Sequence, residues 1–193
     1  GTRHDVPSVL DCRACHGAHP SRVLGFSALQ LAEARDPLAP NAEPLRPGDL
    51  TLNALLERGL VRGDHAALLD ASAPLSVATP PRERAALGYL HANCGGCHNA
   101  WGPLASLGLE LGLRRGEAQP ALRSTLGVRS HFTQGGAGHA LRLVPGAPLA
   151  SVLYQRIGSR FPATQMPPLG THAVDTEAIA LVREWIDADL ALH

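Results

Sequence analysis

The chain has 193 residues with 17 basic and 17 acidic side chains, a formal net charge of zero. Balanced charge argues against a nucleic-acid partner, and no run approaches the ~20 uninterrupted apolar residues of a membrane-spanning helix. Every basic residue is arginine, which leaves no lysine patch for docking, and aromatics at 4% supply few large rings for a core.

Residues 1–7 are short and polar and end in Pro7. Ser8 is a good N-cap and predicts a helix carrying Leu10, Cys12 and Cys15. Residues 22–34, with Val23, Leu24, Phe26, Leu29 and Leu31, predict a buried turn followed by a helix. Pro37, Pro40, Pro44 and Pro47 forbid a continuous helix across 36–48 and predict a loop wrapping a surface. Residues 50–60 return to helical spacing, with Leu52, Leu55, Leu56 and Leu60 on one stripe. Gly59 and Gly63 mark the end of that helix, and 64–71 predicts one more short helix. Residues 72–81 read as a linker closing on Thr79-Pro80-Pro81, and 82–93 as a helix. Residues 101–146 read as loop, anchored by Leu104, Leu107, Leu109, Leu111 and Leu113. Gly135-Gly136-Ala137-Gly138 is a turn, not a phosphate loop: no strand precedes it and no Lys-Ser/Thr follows. Residues 149–157 predict a short helix. Asp175 caps a last helix running to about 189, which buries Ile179, Val182, Trp185 and Ile186. No alternating segment is long enough for a sheet. The expected fold is all-α with long loops, in two helical modules spanning 1–75 and 76–193.

Both modules contain the same signature. Cys12-Arg13-Ala14-Cys15-His16 stands in the first and Cys94-Gly95-Gly96-Cys97-His98 in the second, and these hold all four cysteines. C-x-x-C-H is the attachment motif of c-type haem. The two thiols add to the porphyrin vinyl groups as thioethers, and the histidine offers its imidazole to the iron. A C-x-x-C pair also serves as a redox dithiol or as half of a zinc site, and two pairs as a four-thiolate site. Neither alternative explains a histidine after both pairs, and neither pair has the βαβ context of a thioredoxin-like dithiol. The expectation is two covalently attached haem c groups, which also supply the apolar bulk that the few aromatics do not. Haem c is attached outside the cytoplasm, so an extracytoplasmic location is expected: periplasmic, outer-surface or secreted. The chain is then a mature or trimmed product, or part of a longer polypeptide.

Residues 82–193 resemble a class I cytochrome c module. The shared elements are a helix with Gly88-Tyr89, the motif at 94–98, the Met166-Pro167-Pro168 loop and a closing helix with Trp185. In such folds the first and last helices cross where a glycine meets an aromatic, a role the resemblance gives to Gly88 and Tyr89 against Val182 and Trp185. The runs at 89–99 and 166–186, together with Val6-Pro7-Ser8 and Leu24-Gly25-Phe26, resemble a group of bacterial di-haem c-type cytochromes. That resemblance covers nearly the whole chain. It implies an exported electron-transfer protein, sometimes found beside or fused to dehydrogenase or other extracellular domains.

For the second haem, His98 is the expected proximal ligand and Met166, the single methionine, the distal one. Pro167-Pro168 stiffens the loop that presents the thioether, a soft ligand that favours Fe(II) and raises the potential. A lone methionine also reads as a gap filler in a core. For the first haem His16 is proximal, and residues 1–165 hold no methionine. Its distal ligand is then a histidine, a weaker group or nothing. His19 lies one turn after His16 on the same side, His91 belongs to the second haem's surroundings, and His193 is terminal. His4 and His65 lead equally, with His131, His139 and His172 behind them. Arg22, Arg129 and Arg142 are candidates to pair with haem propionates through forked hydrogen bonds. The leading functional expectation is a non-enzymatic electron carrier between extracytoplasmic redox proteins. The alternatives are a peroxidase-like enzyme, if the first haem is five-coordinate, and a conductor in which copies assemble as a homo-oligomer or filament.

Overall fold

The computed structural model describes residues 6–17, 23–71, 80–113, 120–132 and 140–192. Regular structure among them is helical: α1 (Val9–His16), α2 (Leu52–Glu57), α3 (His65–Ala71), α4 (Pro81–Asn93), α5 (Pro120–Thr125), α6 (Val152–Ile157) and α7 (Thr176–Glu184). Helix α7 runs on through a π-helical turn, Trp185–Asp189, and a 3-10 turn, Leu190–Leu192. Strand pairing among the described residues is limited to isolated bridges such as Leu126 with Leu143 and Leu141 with Ser151. The fold class is therefore all-α, as expected. No helix of the described residues is long and apolar enough to cross a membrane.

The helix starts follow from their caps. Ser8 accepts a hydrogen bond from the Asp11 N–H at 3.2 Å, while the Asp11 carboxylate accepts from the Ser8 N–H at 2.9 Å. This reciprocal box satisfies two otherwise orphaned donors. Asp175 caps α7 by a single bond, its side chain accepting from the Ala178 N–H at 3.1 Å, and Pro81 occupies the first turn of α4, where its missing N–H costs nothing. Helix α2 ends at Glu57, and the chain turns away two residues later at Gly59, whose φ of +64° a side chain would strain. Leu60, expected on the buried stripe, consequently lies outside the helix and is exposed.

The core forms where α4 meets α7 and its continuation. Ala86, Leu87 and Leu90 are buried with Val182, Trp185, Ile186 and Leu190, and Leu111, Ala121, Leu143 and Ile157 complete the cluster. The buried Trp185 indole donates to the Glu83 carboxylate at 3.4 Å. One expectation changes. Gly88 is not a close-approach glycine: a Cβ there would meet nothing within 4 Å. The buried residues of α4 are Glu83, Ala85, Ala86, Leu87 and Leu90, with Tyr89 only partly buried beside the cluster. Gly88→Ala should therefore keep or raise the unfolding free energy, by up to about 1 kcal/mol from helix propensity. Leu87→Ala should cost about 2–5 kcal/mol through the cavity it leaves. Denaturant unfolding of the two variants separates these outcomes.

The first half packs differently. Among its described residues only Thr51, Leu52 and Leu55 are buried, and α1 buries none. The helix expected within 22–34 does not form. Residues 23–34 make turns, with Leu31 N–H donating to Ser27 O and Leu52 N–H to Leu31 O. The proline-rich loop instead fastens onto the second half. Asn41 Nδ2 donates to Asp175 at 2.9 Å, its N–H to Glu177 at 3.2 Å, and Asp36 pairs with Arg84 at 3.0 Å. The boundary expected at 75/76 falls in residues 72–79, outside the described residues.

Candidate functional site: two C-x-x-C-H motifs in contact

The second motif is the last turn of α4 carried one step further. Cys94 N–H donates to Leu90 O at 2.9 Å, and both Cys97 and His98 N–H donate back to Cys94 O, at 3.1 and 2.9 Å. Gly95 is required by close approach, because a Cβ would lie 2.8 Å from His91 O and 3.2 Å from Gly112 Cα. Asn99 locks the turn from inside. Its amide donates to Gly95 O and Gly96 O at 3.2 and 2.9 Å, and its oxygen accepts from Trp101 and Gly102 N–H at 2.9 and 3.1 Å. Sequence reasoning did not give Asn99 this role; the available signal was a short amide directly after the motif and before a Trp-Gly turn.

His98 is buried, at 9% exposure, and its carbonyl accepts from Leu111 N–H at 2.9 Å. Desolvation, then the Arg156 and Arg142 cations, hold its pKa below the ordinary 6.5. The imidazole is thereby kept neutral, the form that ligates metal. Its Nδ1 is buried with no hydrogen-bond partner. Arg142 is itself buried, and its guanidinium donates to Gly108 O at 2.8 Å, to Ser124 O at 2.7 Å and to Leu107 O. Arg156 donates to Thr164 O at 3.0 Å and stacks over the Phe132 ring at 4.2 Å. Neither guanidinium has a carboxylate partner among the described residues. Arg129 is exposed, and Arg22 lies outside the described residues.

Met166 and Cys94 both pack against the core cluster. The backbone of Met166 is pinned by its N–H donating to Arg156 O at 2.9 Å, so one residue of α6 fastens the methionine loop and presents a charge toward His98. Burial, then the neighbouring Cys97, pushes the Cys94 thiol up to about 12; burial, then Cys15, pushes Cys97 up to about 11. Redox-active dithiols have lowered, not raised, thiol pKa values. No three of His, Cys, Asp and Glu among the described residues come together as a metal-ion group.

The first motif closes α1. Cys12 and His16 are exposed and Cys15 is half-buried. The sequence on either side of it carries Val6, Val9, Leu10, Val23, Leu24 and Phe26, all exposed, by 37% to 93%. Cys15 Sγ lies 3.8 Å from Cys97 Sγ, which brings the two motifs together. Ser27 Oγ is 3.4 Å from His91 Nε2, and His91 Nδ1 accepts from Leu113 N–H at 3.2 Å. His91 thus joins the first half to the second, as a positioning group. His4, His19, His139, His193 and the side chain of His65 lie outside the described residues, and His131 is exposed. His172 lines a cavity of about 580 Å³ that is also lined by Ser8 and Asp11 of the α1 cap, Arg160 and Leu169. The sequence ranking had placed His172 behind His4 and His65. No protein-family model, no curated protein and no solved structure matches this chain.

Proposed function

We propose that the chain is an electron-transfer protein with two covalently attached haem c groups, one on Cys12, Cys15 and His16 and one on Cys94, Cys97 and His98. It passes single electrons between extracytoplasmic redox proteins, and the reading assigns it no substrate chemistry. The observation that carries the proposal is the setting of His98. A buried, neutral imidazole directly follows two thiols and is flanked by two guanidiniums that have no carboxylate partner among the described residues. An unbalanced buried cation is costly. Propionate anions match two such forks better than any group described here.

In this reading Cys94 and Cys97 form the thioether anchors, His98 supplies the proximal nitrogen and Met166 the distal sulfur. A haem held there supplies a reversible one-electron Fe(III)/Fe(II) couple. The Met166 thioether biases that couple toward a high potential, because a thioether favours Fe(II). At the first motif His16 supplies the proximal nitrogen, and the exposed apolar residues that flank it give a face for the macrocycle to cover. His172 joins His4 and His65 as a distal candidate, because its cavity abuts the α1 cap.

Expression in a host that attaches haem c tests the proposal. The mass of the denatured protein should exceed the polypeptide by two haem groups. Cys12→Ser or Cys94→Ser should each weaken one attachment and spare the other. A protein that binds zinc and takes up no haem would sink the reading.

A further inference from the structure

Cys15 and Cys97 stand 82 positions apart in sequence, in opposite halves of the chain, yet their sulfurs are in van der Waals contact at 3.8 Å. Each is the second cysteine of its motif and directly precedes the histidine. Neighbouring contacts fasten the same junction. A Cβ on Gly96 would sit 3.6 Å from the Leu24 side chain, and Ser27 meets His91 at 3.4 Å. His91 in turn holds the backbone of Leu113. One polar contact, Ser27 with His91, and one apolar approach, Leu24 to Gly96, thus bind residues 24–27 to the end of α4 and the turn that carries Cys97.

We infer that Cys15 and Cys97 join the two haem edges, so that the two centres behave as one coupled pair and not as independent carriers. The inference rests on the two-haem reading above. A thioether sulfur is separated from the porphyrin ring carbon by two covalent bonds. The path from ring to ring is therefore four bonds and one sulfur–sulfur contact. With bonds of about 1.5–2 Å and the 3.8 Å contact, rings held on these two sulfurs would have edges within about 12 Å of each other. Exchange between them moves one electron: one iron is oxidised as the other is reduced, and no proton or further reactant is needed. The sites also feel each other's charge across a partly buried gap, where screening by water is weak. Reduction of one centre then removes a positive charge that had favoured reduction of the other, so the second centre becomes harder to reduce.

Electron paramagnetic resonance of the intact protein, with two haems counted by mass, tests the contact. Spectra are compared between the fully oxidised state and a sample poised with one centre reduced. Coupled centres broaden and relax each other. The remaining ferric signal should sharpen in the half-reduced sample, and its half-saturation power should fall severalfold. Leu24→Glu, which pries at the junction and replaces no residue of either motif, should diminish that difference. Two haems by mass with line shape and saturation the same in both redox states would overturn the inference and leave the two-haem reading standing. Fewer than two haems would overturn that reading itself.

Discussion

Met166→His is expected to keep the second centre six-coordinate and lower its potential by about 0.1–0.3 V, a fraction of the ~0.8 V range that axial ligands command. The loop should survive the change. Its position is set by the Met166 N–H bond to Arg156 O and by Gln165 Nε2 donating to Pro168 O at 3.2 Å, not by the thioether. The substitution therefore changes the donor atom and little else. Imidazole is a harder donor than a thioether and favours Fe(III). A one-electron equilibrium changes tenfold for every ~59 mV, so even the smaller shift redistributes the electron between the two centres by more than tenfold. Spectropotentiometry reads the shift, and loss of the near-infrared charge-transfer band of Met-ligated ferric haem reports the ligand exchange. Met166→Ala should open the site to cyanide or carbon monoxide. Unchanged potentials and an unchanged band in both variants would make Met166 a core filler, consistent with its packing against the cluster.

The elements that the sequence disclosed are those whose determinants are local. Ser8 with Asp11, Asp175 and Pro81 announce the starts of α1, α7 and α4 through groups within three residues of the helix they open. The spacing of Val182, Trp185 and Ile186 likewise marks one face. What failed depended on partners distant in sequence. Residues 23–34 have the apolar content of a helix, but their anchors are Gly96, His91 and Leu52, so tertiary contacts decide their path. Helix α5 escaped notice inside an expected loop because it is only six residues long; Pro120 at its start and the glycine at 127 were the available signs. At the site, the motifs name the cysteines and histidines unaided. The charges around His98 do not follow from spacing. Arg142 and Arg156 reach it only because loops 104–108 and 160–166 fold back onto the core, a geometry set by side chain–carbonyl bonds that leave no periodic trace. The cross-motif sulfur contact is illegible for the same reason.

Arg142→Met is the substitution expected to cost the most stability. The guanidinium is the shared donor for three backbone oxygens, those of Leu107, Gly108 and Ser124, and it ties the turn after the second motif to the end of α5. Methionine fills much of the same volume and satisfies none of them. A buried acceptor left unpaired costs about 1–3 kcal/mol, and breaking a buried charged network typically costs about 3–5 kcal/mol in all. Against a total stability of about 5–15 kcal/mol, that is a large share. Arg142→Lys should recover only part of the loss, because a single ammonium cannot reproduce the planar fork that spans separate carbonyls. The same variants carry an electrochemical signature that a purely structural clamp would lack. Removing a cation beside His98 eases the accumulation of positive charge on oxidation, so Arg142→Met should lower the potential of the second centre, while Arg142→Lys, which keeps the charge, should move it less. Denaturant unfolding and spectropotentiometry of the loaded protein measure the two effects separately. If Arg142→Met unfolds at the wild-type denaturant midpoint, the three carbonyls have found other donors and the clamp is elsewhere. If it unfolds earlier but leaves the potential in place, the guanidinium is a clamp alone and its charge is balanced by a group outside the core.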